Sequence, residues 1–71
     1  MNDGKRIASN ILVLMGARDL TQPQLAKSAG IHENTLANYI RGRCEPGAFK
    51  LKRIAQALGC TVDDLLKGVG E

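Results

Sequence analysis

The chain has 71 residues, enough for one domain, and a domain of this size buries only about 60% of the surface of its unfolded chain, which disfavours a large catalytic cleft. The net charge of +3 favours an anionic partner, but the excess is too small to identify nucleic acid by itself. Because the chain has one Phe, one Tyr and no Trp, its core must be aliphatic, which suits short helices that pack closely.

Apolar spacing predicts a first helix from about Asp3, a possible N-cap, to Arg18. Its buried stripe consists of Ile7, Ile11, Leu14 and Met15. Leu12 and Val13 lie off that stripe and make the helix apolar nearly all round, so a second face also calls for burial. That second face is a candidate subunit interface, and Met15 belongs either to it or to the core.

A short second helix is predicted to begin with a capping box. Thr21 is the N-cap, Pro23 lies in the first turn, where its missing N–H costs nothing, and Gln24 follows the cap by three residues. The buried positions are Leu25 and Ala26. Gly30 then supplies a left-handed C-cap or a tight turn, because it has no Cβ.

The spacing of Leu36, Tyr39 and Ile40 marks the buried side of a third helix, which Gly42 ends. Its outward positions are Glu33, Asn34, Ala37, Asn38 and Arg41. Apart from the alanine, these side chains can form directional hydrogen bonds. The third helix therefore has a polar, hydrogen-bonding face.

A loop with turn residues, 43–47, leads to a fourth helix from about Ala48 to Leu58, which Gly59 stops. Its inward positions are Leu51, Ile54, Ala55 and Leu58, and its outward positions are Lys50, Arg53 and Gln56. Thr61 and Asp64 predict another capping box. It begins a short fifth helix that carries Val62, Leu65 and Leu66.

No segment shows the pattern of a strand, so the predicted fold class is all-α, with five helices packed compactly. Tyr39 and Phe49 are expected in the core, because a protein that stacks single-stranded bases needs several exposed aromatic rings. Nothing in the chain indicates a repeat or a linker between domains. We therefore expect residues 1–71 to form one domain with a core at about 5–67.

Cysteine usage and hydropathy exclude two further classes of protein. Cys44 and Cys60 form no CxxC pair and the chain has a single histidine, so no set of metal ligands with the usual spacing can be assembled. Both thiols are expected to be free and inert, in a reducing cytoplasm. The longest apolar run, 11–15, is much shorter than the roughly 20 residues that cross a bilayer. We expect a cytoplasmic protein without cofactor, metal or small-molecule ligand.

The stretch from Leu20 to Gly42 reads LTQPQLAKSAGIHENTLANYIRG, and two short helices joined by a Gly-containing turn form the helix-turn-helix pattern. The chain resembles the lambda-repressor-like family of phage repressors, Cro proteins and XRE-type regulators. The resemblance extends from about Arg6 to Leu66 and includes the LxxIAxALG run that begins at Leu51. It implies a compact five-helix DNA-binding domain, found in bacterial or phage regulators.

Carried over by position, the resemblance implies five base-reading residues: Gln22, Glu33, Asn34, Thr35 and Asn38. Asn34 and Asn38 can each pair with adenine in the major groove through two hydrogen bonds, and each good pair discriminates by about 1–3 kcal/mol. Gln22 reaches a phosphate or a base edge. Glu33 either accepts a hydrogen bond from a cytosine amino group or remains in solvent and serves to reject wrong sequences.

The resemblance also implies contacts to the DNA backbone after the recognition helix. Arg41, Arg43 and Lys50 are the predicted phosphate clamp, and Lys27 is a weaker member. His32 stands where the family often has a capping Ser or Thr, so we predict a weak cap and a ring that either donates to a phosphate or has no role. The remaining cations are expected to be solvated: Lys5, Lys52, Arg53 and Lys67. Ile40 replaces a frequent Glu and must pack.

Two functions from different classes follow. The first is a sequence-specific regulator of double-stranded DNA, expected to be a repressor and a homodimer on a pseudo-palindromic site. The second is a protein-interaction module with the same fold, such as an antitoxin or adaptor. The polar face of the third helix favours DNA, because an interaction helix needs apolar anchors. An enzyme is disfavoured, because neither a nucleophile–base pair nor a phosphate loop is present. Whether the chain is a complete regulator or a fragment stays open.

Overall fold

A computed structural model describes residues 3–67. That range contains five helices and no strand: α1 Asp3–Ala17, α2 Gln22–Ala29, α3 Glu33–Ile40, α4 Ala48–Leu58 and α5 Val62–Leu66. The predicted all-α, five-helix fold is confirmed. α1 packs on α3 and α5, and α2 packs chiefly on α4, so that all five helices surround one aliphatic core.

Local hydrogen bonds start two of the helices where the sequence predicts them. The Thr21 hydroxyl accepts from the Gln24 backbone N–H at 3.3 Å, and the Gln24 side chain accepts from the Thr21 N–H at 3.0 Å. Thr61 and Asp64 repeat the same reciprocal pair at 3.1 Å each. Each pair satisfies two backbone donors that a helix start leaves without partners. Both predicted capping boxes are confirmed.

The ends of α1 differ from the prediction by one residue. The helix includes Asp3 as its first residue, so Asp3 is not the flanking N-cap, and it ends at Ala17 rather than Arg18. Asp19 then adopts a left-handed conformation with φ 55°, while the Leu20 N–H donates to the Met15 carbonyl at 3.0 Å. An aspartate thus has the terminating role that glycine usually plays, which apolar periodicity does not reveal.

The core is as aliphatic as the composition requires. Its largest fully buried side chains are Ile11, Leu25, Leu36, Ile54, Leu58 and Leu65. Tyr39 and Met15 are also buried, which places Met15 in the core. Ile40 is partly buried and packs against this core. Leu12 and Val13 are 49% and 62% exposed, so nothing in the described chain covers the second apolar face of α1.

The expectation that Phe49 lies in the core is wrong, because its side chain is 84% exposed. The reason is the register of α4, whose inward positions are set by Leu51, Ile54, Ala55 and Leu58. At about 100° per residue, Phe49 lies roughly 140° around the helix from Ile54 and 180° from Leu58. Its ring therefore projects from the solvent side of the helix.

Two polar side chains of the first 18 residues tie α1 to the C-terminal helices. Asn10 is only 8% exposed, and its Nδ2 donates to the carbonyls of Leu65 at 2.7 Å and Lys67 at 2.8 Å. Arg18 donates to the carbonyls of Leu58 and Gly59, where α4 ends. These donors satisfy carbonyls that the ends of α4 and α5 leave without helical partners.

Candidate nucleic-acid interface

A tight turn joins α2 to α3 and sets the angle between them. Gly30 has φ 70° and ends α2 in the left-handed conformation, as predicted. The backbone N–H of Ile31 then donates to the Ala26 carbonyl at 3.0 Å. Because α3 buries Leu36 and Tyr39 against its neighbours, its opposite side is left on the surface.

The outer side of α3 carries the predicted base-reading residues. Glu33 and Asn34 are exposed, and Thr35 and Asn38 are half-buried. Among residues 3–67, none of these four side chains has a hydrogen-bond partner. Asn34 and Asn38 are one turn apart on the same side of the helix, about 6 Å along its axis. Two amide groups are thus presented together with their hydrogen-bonding capacity unused.

The N-termini of α3 and α4 lack the side-chain caps that α2 and α5 possess. His32 and Gly47 have extended backbones at the N-cap positions, and neither provides a side-chain hydrogen bond. The predicted weakness of the His32 cap is confirmed, and its exposed ring is left without a partner in the described chain. Glu33, in the first turn of α3, lies near the positive end of the helix, which it stabilises.

The loop after α3 holds two of the predicted phosphate-binding cations. Gly42 has φ 72°, and the N–H of Arg43 donates to the Asn38 carbonyl at 3.0 Å, so the helix closes sharply between Arg41 and Arg43. A Cβ on Gly42 would lie 3.3 Å from Cγ of Lys5, which adds a steric reason for glycine. Both arginines are exposed.

Three predicted cations are therefore close in sequence around one loop. The side chains of Arg41, Arg43 and Lys50 form no ion pair or hydrogen bond with any other residue in the range 3–67. Pro46 is buried and anchors the loop between them. The positive charges that follow α3 are thus left available to an anionic ligand.

Lys27 belongs to α2 and not to the loop that carries Arg41 and Arg43. It lines an open groove with Arg53, Gln56 and Ala57, formed by the C-terminal halves of α2 and α4. Gln22 is at the opposite end of α2. It is five residues before Lys27, so the two side chains lie about 140° apart around the helix axis. The structure brings Gln22 to the start of α2 and leaves Lys27 on a different surface.

The two groups whose pKa values are shifted, Cys60 and Asp64, lie near α5, away from α3. The pKa of the Cys60 thiol is raised, chiefly by partial burial and secondly by the negative charge of Asp64. Hydrogen bonds from the backbone and side chain of Thr61, and then from Lys67, lower the pKa of Asp64. Lys67 pairs with that carboxylate at 3.3 Å, so the expectation of a merely solvated Lys67 needs correcting to a surface ion pair.

The described residues contain neither a cluster of metal ligands nor a membrane-spanning helix. Within 3–67 no three His, Cys, Asp or Glu side chains are grouped so that they could hold a metal ion. No helix in this range has the length and apolarity to cross a membrane. Cys44 is exposed and Cys60 is half-buried, and both are free thiols.

Two solved structures share this architecture. The restriction-modification controller protein C.AhdI from Aeromonas hydrophila superposes with a TM-score of 0.84 at 22% identity, over 89% of this chain and 96% of that one. The hypothetical transcription factor NHTF from Neisseria superposes with a TM-score of 0.91 at 20% identity, over 96% of this chain and 78% of that one. At these identities the likeness concerns the fold.

The family comparison is more specific. Residues 10–71 match the model of the Cro/C1-type HTH DNA-binding domain, whereas the curated proteins contain no match. The match covers the turn between α2 and α3, the outer side of α3 and the cationic loop, and it confirms the resemblance that the sequence motifs indicate. The chain belongs to the Cro/C1-type helix-turn-helix DNA-binding domains, a family whose members bind DNA and are not enzymes.

Proposed function

We propose that this protein is a sequence-specific transcriptional regulator that reads the major groove of duplex DNA with α3 and represses by occluding a promoter. The observation that carries the proposal is the pair of unpartnered amides, Asn34 and Asn38, one turn apart on the outer side of α3. An asparagine amide matches the N6 and N7 edge of adenine in the major groove. Thr35 and Glu33 complete this side of the helix.

The backbone contacts in this proposal come from both ends of the helix-turn-helix unit. Gln22, at the start of α2, contacts a phosphate or a base edge, and His32 donates to a phosphate. Arg41, Arg43 and Lys50 clamp the phosphates beyond α3, which is supported by their exposure and their lack of acidic partners among the described residues. Such contacts set register and affinity without reading sequence.

We further propose that two copies bind a pseudo-palindromic site. The 8 residues of α3 span only about 12 Å, so one copy reads few base pairs. Two half-sites one helical turn apart, about 34 Å, provide a longer sequence. Sedimentation of the free protein and of its DNA complex tests this part: a single copy on the selected duplex would contradict it.

Selection from a random duplex library tests the reading of DNA directly. We expect an enriched motif, which Asn34→Ala and Asn38→Ala make less selective because a base-edge hydrogen bond is lost at one position. Gln56→Ala is the matched control, since it removes an exposed amide on α4 outside the proposed interface. An unchanged motif in both α3 variants would show that α3 is not the reading helix.

The alternative is a protein-interaction module built on the same fold. The exposed Leu12 and Val13 on α1 are the observation that favours it, because exposed apolar side chains on one helix suit a protein partner. Failure of the unaltered chain to enrich any duplex would favour this alternative over the DNA-binding proposal.

A further inference from the structure

Phe49 is the most exposed large apolar side chain in the described range, at 84%, while the other aromatic residue, Tyr39, is 5% exposed. Burial of a Phe side chain is worth about 1.5–3 kcal/mol, and the fold forgoes this gain at position 49. A single exposed ring is ordinary on its own, so the role of this ring depends on the residues around it.

The neighbours of Phe49 belong to the proposed DNA-binding surface. It is the second residue of α4, directly before Lys50 and shortly after the loop that carries Arg43. The groove between α2 and α4 is lined by the C-terminal end of α2 and by Arg53, Gln56 and Ala57, and Phe49 is not among its lining residues. Phe49 lies in sequence between Arg43 and Lys50, two of the cations that the proposed function places on the DNA backbone.

We propose that the Phe49 ring is a contact residue for duplex DNA, packing on the deoxyribose and the minor-groove edge of the strand that Arg43 and Lys50 hold. This inference rests on the function proposed above. With α3 in the major groove, the protein chain that follows α3 contacts the DNA backbone that borders this groove. The minor groove lies on the other side of that DNA backbone. Apolar side chains bind there by contact and by partial insertion between base steps.

Charge decides between DNA and a second copy as the occupant. Lys50, Lys52 and Arg53 surround Phe49 along α4, and α4 contains no acidic residue. A symmetric contact between two copies places identical patches against each other, so these cations would repel. A polyanion fits the same patch, because its phosphates neutralise the cations while the ring contacts the apolar sugar.

An aromatic contact and a cationic contact respond differently to salt, which gives the test. Affinity for the selected duplex is measured across a salt series for Phe49→Ala, with Arg43→Ala for comparison. Phe49→Ala should weaken binding about tenfold, the low end of what burial of a Phe provides, with an unchanged salt slope. Arg43→Ala should lower the slope by about 0.9, because one phosphate contact is lost.

Controls separate this contact from general apolarity and from folding. Leu66→Ala removes an exposed apolar side chain on α5, outside both the proposed DNA-binding surface and the apolar face of α1, and should leave affinity unchanged. Phe49→Leu should retain part of the affinity. The melting temperature of Phe49→Ala should match that of the unaltered protein, because the ring contributes little to the core.

Three results would overturn the inference, and they differ from one another. If Asn34→Ala and Asn38→Ala change the motif while Phe49→Ala binds normally, the Phe49 contact is wrong and the proposed function stands. If Phe49→Ala alters the sedimentation of the free protein and not its affinity for DNA, the ring faces a second copy. If the unaltered chain binds no duplex, both proposals fall.

Discussion

The corner between α1 and α5 and the segment from α3 to the start of α4 use polar residues in opposite ways. At the corner, Asn10 and Arg18 donate to backbone carbonyls at the ends of α5 and α4. From α3 onward, the side chains of Asn34, Asn38 and Arg41 have no hydrogen-bond or ion-pair partner in the described chain. The same residue types therefore stabilise the fold in one region and are available to a ligand in the other.

This difference predicts which measurement each substitution affects. A buried polar group that loses its partner carries a desolvation cost, so changes at the corner should lower the free energy of unfolding. An exposed group without a partner contributes little to folding, so changes on α3 and its loop should alter DNA binding alone. A variant that lowers both the free energy of unfolding and the affinity for DNA would contradict this distinction.

The largest effect is expected at Asn10. Asn10→Ala removes both donors to the carbonyls of Leu65 and Lys67, and should lower the free energy of unfolding by about 2–3 kcal/mol. Urea denaturation measures the change. Asn34→Ala is the matched control, since it alters an exposed amide without partners and should stay within about 0.5 kcal/mol of the unaltered protein. Equal losses in the two variants would contradict the distinction.

Arg41→Ala should have the next largest effect, on binding. Loss of one phosphate contact should weaken affinity for every duplex about tenfold at low salt and reduce the salt slope by about 1. Fluorescence anisotropy with specific and unrelated duplexes measures both quantities. Lys67→Ala serves as control for net charge, because Lys67 lies at the end of α5, outside the proposed interface, and pairs with Asp64. A selective loss on the specific duplex alone would instead make Arg41 a base reader.

Arg18→Ala should destabilise by about 1 kcal/mol, because the Leu58 and Gly59 carbonyls lose a cationic donor at the negative end of α4. The side chain is exposed, which reduces the effect relative to Asn10. Arg53→Ala, which removes an exposed arginine without a partner, should have no measurable effect on unfolding. If Arg18→Ala and Arg53→Ala had the same free energy of unfolding, the contacts from Arg18 to the two carbonyls would contribute nothing to stability.

The smallest effect is expected in the dependence of stability on pH. The pKa of Asp64 is lowered in the folded protein, so its stabilising contribution is complete above its unfolded pKa of about 3.9 and is lost as pH falls through the lower folded value. Asp64→Asn should therefore lower stability at about pH 6, and its difference from the unaltered protein should shrink as the pH falls through the lowered folded pKa of Asp64. Asp63→Asn is the control, because Asp63 has no side-chain partner. A difference that grows towards low pH would contradict this sign.

Local chemistry made much of the fold predictable. Reciprocal hydrogen bonds three residues apart mark the starts of α2 and α5, and glycines in the left-handed region mark the ends of α2 and α4. The polar outer side of α3 follows from the periodicity that buries Leu36 and Tyr39. These features depend on residues within a few positions of each other, so sequence alone can reveal them.

Other features depend on distant parts of the chain. Asn10 interrupts an apolar stretch in the sequence. It is separated by 55 residues from Leu65, whose carbonyl accepts its hydrogen bond. Arg18 is separated by 40 residues from its partner Leu58. No local pattern distinguishes these donors from the free amide of Asn34 or the free guanidinium of Arg41.

The sequence by itself therefore determined the five helices, the helix-turn-helix unit and the polar side of α3, because caps and periodicity act over one or two turns. Only the tertiary structure decided that Lys27 lines a groove with Arg53 and Gln56 of α4 and that Asn10 is a structural donor. The physical reason is that a side chain's role depends on whether the packing of other helices brings a partner to it.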